Sequence, residues 1–209
     1  MAQQQRMVIV GEEHCGGGED RELTTYGRGG VCGGGAAAGD LALLGPEGEP
    51  VLTVRRRRPS LHHRWDGFLG DGAASGQKPL FSARRSSILG VGSGAAGVLV
   101  DLLAPGAAGE FRVDGSFPRR CCRVVPVKAA APAGGDGEEE EEELLLPEVR
   151  RKVDEDAHVV MGRDVFVLWL RAGFDAAFAM GIVLVLDRIT GDELNGDLSE
   201  DLAVASSPV

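Results

Sequence analysis

Through the middle of the chain, apolar residues come in short runs that alternate with polar ones or break at turn residues. Phe111-Arg112-Val113-Asp114 alternates strictly, the period of a strand with one buried face. Residues 51–54, 80–83, 98–103, 122–127, 149–153 and 165–170 are β-type runs, set apart by turn signals such as Gly45-Pro46-Glu47-Gly48 and Pro105-Gly106. No helical period stands between successive runs, so the pattern predicts an antiparallel meander, as a sheet or a barrel, rather than α/β units.

Residues 174–189 depart from this. Read as a helix, Phe174 to Ile189 is apolar on every side, the mark of a helix buried all round. Asp175 suits its first turn and Arg188 its last, matching the macrodipole. The uncharged run Ala176 to Leu186 has 11 residues, whereas a bilayer span needs about 20. A core helix is therefore expected, with no transmembrane span, and Asp at Met180 or Ile182 is expected to unfold the protein. In an otherwise all-β chain, the simplest home for such a helix is the inside of a barrel.

Composition sharpens the boundaries. The 209 residues suit one domain, and 43% hydrophobic content is enough for one core. Residues 1–39 are rich in glycine, with runs at Gly16–Gly18 and Gly33–Gly35, and read as a flexible segment. Residues 40–191 hold the patterned runs, and 192–209 read as a disordered tail. Residues 129–147 form an acidic low-complexity insertion with six consecutive glutamates, Glu138–Glu143. Met7–Val10 is too short a hydrophobic stretch for a secretory signal, which points to the cytoplasm or nucleus. Four cysteines (Cys15, Cys32, Cys121, Cys122) do not make a disulfide scaffold.

The formal charge is −10, which argues against a generic nucleic-acid binder. That total hides a basic middle: residues 45–128 carry 13 basic and 7 acidic side chains, net +6.

Signals for chemistry are weak. Gly92-Ser93-Gly94-Ala95-Ala96-Gly97 matches G-x-G-x-x-G, but Pro105 follows the next strand before a crossover helix could form, so it reads as a loop. His62-His63 and Cys121-Cys122 are adjacent, and neighbours on a strand point to opposite faces, so neither pair clasps a metal. His14 and Cys15 look isolated in the glycine-rich segment. Ser60, Ser86 and Ser87 lack a nucleophile elbow. No catalytic residue, metal site or cofactor is expected.

Several motifs together carry a resemblance. They are Val51-Leu52-Thr53-Val54-Arg55-Arg56-Arg57-Arg58; Leu61-His62-His63-Arg64-Trp65-Asp66-Gly67-Phe68; Pro79-Leu80-Phe81-Ser82-Ala83-Arg84-Arg85-Ser86-Ser87; Gly115-Ser116-Phe117-Pro118-Arg119-Arg120-Cys121-Cys122; and Gly162-Arg163-Asp164-Val165-Phe166 leading into Gly173-Phe174-Asp175-Ala176-Ala177-Phe178-Ala179-Met180. Their order and spacing over residues 40–191 resemble the plant LURP-one-related family. That family is similar to Tubby C-terminal domains and phospholipid scramblases, which implies a closed antiparallel β-barrel around a central hydrophobic helix. Arg21-Glu22-Leu23-Thr24 looks like the start of the family's first strand, and Thr25-Tyr26-Gly27 like the tail of its second. The resemblance thus implies a barrel without its opening hairpin, with unpaired edges and an uncovered side of the helix.

The arginine clusters admit two readings. Exposed arginines at strand ends keep sheet edges soluble. Alternatively they form a face for anionic phospholipid headgroups, since Arg binds phosphate in bidentate fashion and polybasic patches are drawn to anionic leaflets. The candidate headgroup residues are Arg55, Arg57, Arg84, Arg85, Arg150 and Lys152. The resemblance to Tubby-type domains implies phosphoinositide binding, peripheral plasma-membrane association and a place in plant defence. The competing expectations are an interaction protein whose acidic loop contacts a basic protein partner, and a scramblase-like lipid protein.

Overall fold

The computed structural model describes residues 6–26, 40–58, 63–86, 97–127 and 147–203, apart from single positions 73, 75, 108, 155 and 163. The loop at 92–96, His62, Ser60, Ser87, Cys32 and the glutamates 138–143 lie outside the described residues.

The expected runs are strands, and they form one antiparallel sheet. Its strands are β1 (Arg21–Tyr26), β2 (Leu41–Leu44), β3 (Pro50–Arg56), β4 (Trp65–Leu69), β5 (Phe81–Arg85), β6 (Val98–Leu102), β7 (Gly109–Ser116), β8 (Cys121–Pro126), β9 (Glu148–Arg151) and β12 (Val165–Leu170). A separate two-stranded hairpin pairs β10 (Val153–Asp154) with β11 (Val159–Val160). The ten-stranded order is β1-β12-β9-β8-β7-β6-β5-β4-β3-β2. The closed barrel is therefore corrected to an open sheet: β1 and β2, consecutive among the strands, stand at opposite edges of the order and are not paired.

The sheet packs its buried residues on α1 (Ala176–Ala203), the one α-helix among the described residues. Strand alternation supplies one side of this core, with Leu52 and Val54, Phe81 and Ala83, Val98 and Val100, and Phe111 and Val113 all buried. The helix supplies the other, with Phe178, Ile182, Val185, Leu186 and Ile189 at 0–2% exposure. Phe81 meets Phe178 edge-on, with ring centroids 5.3 Å apart. Two glycines make room for that ring: a Cβ on Gly67 would collide with it, and one on Gly181 would press on Phe81 and Leu52. Gly115, in the motif before the cysteines, has φ +98, and a Cβ there would collide with the Cys121 carbonyl.

The helix runs past Ile189, where sequence reading ends it, and past 192, where the tail was expected to begin. Asp175 is its N-cap and is fully buried. Oδ1 accepts the Phe178 N–H at 3.0 Å, and Oδ2 accepts the N–H groups of Ile9, Val10 and Gly11 at 3.0, 2.6 and 3.2 Å. One carboxylate thus ties the start of the chain to the start of the helix. Residues 6–26 accordingly pack on the core rather than forming part of a flexible segment. Ile9 and Cys15 are buried, Met7 bridges Phe174, and β1 pairs with β12 along its full length. The Cys15 thiol, expected to be isolated, points at the Met7 and Gly11 carbonyls, and burial raises its pKa.

Candidate functional site: a basic rim

In an antiparallel order, the ends of β3, β5, β7 and β9 and the starts of β4, β6, β8 and β12 lie at one rim of the sheet. Register therefore gathers residues that are scattered in the sequence. Arg56, Arg57 and Arg58 leave β3, Arg64 precedes β4, Arg85 ends β5, Arg119 and Arg120 precede β8, and Arg151 and Lys152 close β9. The helix passes the same rim near Ile189, whose carbonyl accepts the Arg85 Nη2 at 2.6 Å. Arg188 is exposed beside it. The opposite rim carries Glu47, Glu49 and Glu110, and there Val127 and Pro147 anchor the acidic insertion.

The rim side chains differ in how they are held. Arg57, Arg58, Arg119 and Arg188 are exposed, and no hydrogen bond or ion pair with a described residue engages their guanidinium groups. Arg56 Nη2 meets His63 Nδ1 at 3.1 Å. His63 itself adopts φ 49 in the turn between β3 and β4. Arg151 Nε donates to the Arg119 carbonyl at 3.0 Å, tying two neighbouring loops. Arg120 is a structural cation: it is 8% exposed and stacks over Phe117 and Phe166 at 4.2 and 4.5 Å. It lies 3.9 Å from Asp187, and its burial lowers its pKa.

The six candidates from sequence divide by strand position. Arg57, Arg85 and Lys152 reach the rim. Arg55, Arg84 and Arg150 lie one or two residues further in and are held in ion pairs. Arg55 Nε is 2.7 Å from Asp40. Arg84 lies 3.5 Å from Asp101 and 3.0 Å from Glu110, while Arg64 shares Asp101 at 3.3 Å. Arg150 is 2.6 Å from Glu148 and stacks on Trp169 at 4.8 Å. The hydrogen bond to Glu148 raises the Arg150 pKa. A carboxylate already bound to a guanidinium competes with any phosphate for the same donors. Arg56, Arg58, Arg64, Arg119, Arg151 and Arg188 were missing from the sequence-based set, because only the register shows that their strand ends coincide.

Cys121 is exposed and Cys122 buried, opposite faces of one strand as their adjacency requires. Burial pushes the Cys122 thiol up to about 12. Among the described residues no group of three or more His, Cys, Asp or Glu side chains is placed to hold a metal, and no helix is long and apolar enough to cross a membrane.

Comparison with known proteins agrees with the motifs. A family model described as LURP-one-related matches residues 32–187. Protein LURP-one-related 12 of Arabidopsis thaliana is 42% identical over 154 residues, covering 74% of this chain and 61% of that protein. Protein LURP-one-related 5 of the same plant is 44% identical over 155 residues, covering 74% and 65%. The match thus spans less than two thirds of these relatives' own length. Protein LURP-one-related 15 is more distant, at 28% over 151 residues. No solved structure matches the chain. On the span of the family match and the identity to these two relatives, the chain belongs to the LURP-one-related family.

Proposed function

We propose that this protein is a non-enzymatic, Tubby-like binding module that docks reversibly on anionic phospholipid surfaces, phosphoinositides included, from the cytoplasmic side. On this reading it works as a peripheral tether in plant defence signalling. The observation that carries the reading is the basic rim: in a chain of net charge −10, four exposed arginines, without acidic partners among the described residues, gather at one rim of the sheet and the helix beside it. The acidic insertion is anchored at the far rim, so docking by the basic rim leaves the anchor points of these charges on the side away from the membrane. Vesicle sedimentation tests it. Wild-type protein should sediment with phosphatidylcholine vesicles containing a few per cent phosphatidylinositol bisphosphate, and less as salt rises, because the attraction decays within a Debye length of about 8 Å at physiological ionic strength. Arg57→Glu with Arg58→Glu should weaken binding steeply, each arginine near the surface contributing about 1 kcal/mol. Arg171→Glu, which is distant from the rim, should change it little. Binding that ignores salt and the rim substitutions would overturn the proposal.

A further inference from the structure

Three faces of α1 can be told apart by what they touch. Ala179, Ile182, Val183 and Leu186 pack around a small void with Cys122 and Val124 of β8, Val149 of β9 and Leu168 of β12. Phe178 and Gly181 meet Phe81 of β5, and Gly181 also meets Leu52 of β3. The third face carries Ala176, Met180 and Leu184 at i, i+4 and i+8, followed by Asp187. These apolar residues are only partly buried, and Asp187 is exposed, while the rest of 177–186 is buried. Going round the helix in sheet order, this face lies between β12 and β3, where β1 and β2 end the sheet. Leu23 of β1 and Leu43 of β2, on either side, are likewise only partly buried. Among the described residues an apolar stripe thus lies only partly covered, in the opening between two unpaired strand edges.

We infer that this opening is a self-association interface, closed by the same opening of a second copy of the chain. The two edges make it self-complementary. Ten strands alternate in direction, so β1 and β2 run antiparallel to each other. Two copies facing across a two-fold axis parallel to α1 place β1 of each beside β2 of the other, antiparallel as required. Both edges of both copies are then paired, the strand count stays even, and the two Met180–Leu184 stripes cover each other. An isologous contact of this kind closes on itself, leaving no edge for further growth. Nothing in β2 opposes it, since Leu41-Ala42-Leu43-Leu44 has none of the charges or prolines that protect solitary edges. Of the two charges in β1, Arg21 is already engaged, its Nη2 bonding the carbonyls of His14 and Phe174 at 2.9 and 3.2 Å, while Glu22 is exposed.

Sedimentation velocity of the full chain between 1 and 100 µM tests this. The expected result is a monomer–dimer equilibrium with no larger species. Met180→Glu, at a position only half buried, should shift it at least tenfold toward monomer, whereas Val159→Glu on the exposed β10–β11 hairpin should not. In case Met180→Glu fails to fold, Met180→Cys in a Cys121→Ser background provides a second measure: mild oxidation should join two copies through residue 180. A monomer throughout the range would overturn the inference, and would leave the opening to residues 27–39 of the same chain. A dimer insensitive at residue 180 by both measures, or open-ended oligomers, would overturn it too.

Discussion

The two sides of α1 present a contrast. On one, strands β3 to β12 bury every helical side chain they face, and room for the rings is made by glycines rather than by flexible residues. On the other, the helix carries equally apolar residues, Ala176, Met180 and Leu184, that are only partly covered among the described residues. Amino-acid pattern alone treats the two sides alike, since Met180 and Ile182 both belong to one continuous apolar run. What separates them is the topology of the sheet: β1 and β2 end its strand order on either side of the less covered face. An apolar helix face reports a need for burial and does not say what provides it.

Substitutions can break that contrast. The largest effect is expected at Ile182, which is 2% exposed: Ile182→Asp buries an unpaired charge at a cost of several kcal/mol and should abolish cooperative unfolding. Met180→Asp should leave a folded monomer with a Tm lowered by only a few degrees, as about 1 kcal/mol implies for a domain of this size. Calorimetry of the pair checks both, and equal loss at the two positions would erase the distinction between covered and open sides. The sequence-based expectation that either substitution unfolds the protein is thus narrowed to Ile182.

An intermediate effect is expected at Asp175. Asp175→Ala leaves the N–H groups of Ile9, Val10, Gly11 and Phe178 without their acceptor and should cost about 3 kcal/mol, given 1–3 kcal/mol for each buried group left unsatisfied and partial access of water to residues 10 and 11. Amide hydrogen exchange should then speed up in residues 7–15 more than in β5 or β6.

The smallest effect concerns the two adjacent thiols. At pH 8 an alkylating reagent should modify Cys121 in the native protein and reach Cys122 only after unfolding, as peptide mapping would show. The folded Cys122 pKa, raised by burial to about 12 from 9.0, makes the neutral thiol the stable form. The unfolded chain therefore loses its proton first. The stability contributed by Cys122 is full below pH 9 and declines as pH rises toward 12.

Much of the fold was legible in the residues. The strands with alternating or β-branched runs, β3 and β5 to β9 and β12, lie where the pattern puts them: alternating burial marks β6 and β7, and short apolar runs buried on both faces mark β12. β2 was missed because Leu-Ala-Leu-Leu has no alternation, and β4 because Gly67 interrupts a five-residue strand. The sheet's edges were legible only through the resemblance, which implied a missing hairpin between Thr24 and Thr25. The structure holds all of Arg21–Tyr26 in one continuous strand. For the site, charge patterning found the clusters but could not sort them. Arg84 and Arg85 are neighbours in sequence, yet strand alternation sends one to Glu110 and Asp101 and the other to the helix.

The carboxylate of Asp175 also sets an order of events. It holds Ile9 across 166 positions of sequence, and β1 waits for β12, to which it pairs from Arg21↔Leu170 to Tyr26↔Val165. Residues 6–26, made before the strand and helix cap that hold them, are thus among the last to find their place. Contacts of such separation pay their loop-closure entropy late and slow the final step of folding. During synthesis the hairpins from β3 to β8 can zip locally, each strand against the one before it. The amides of Ile9, Val10 and Gly11 stay unsatisfied until Asp175 has been made, so a nascent chain halted between residues 170 and 175 can pair β1 with β12 but cannot fasten residues 9–11.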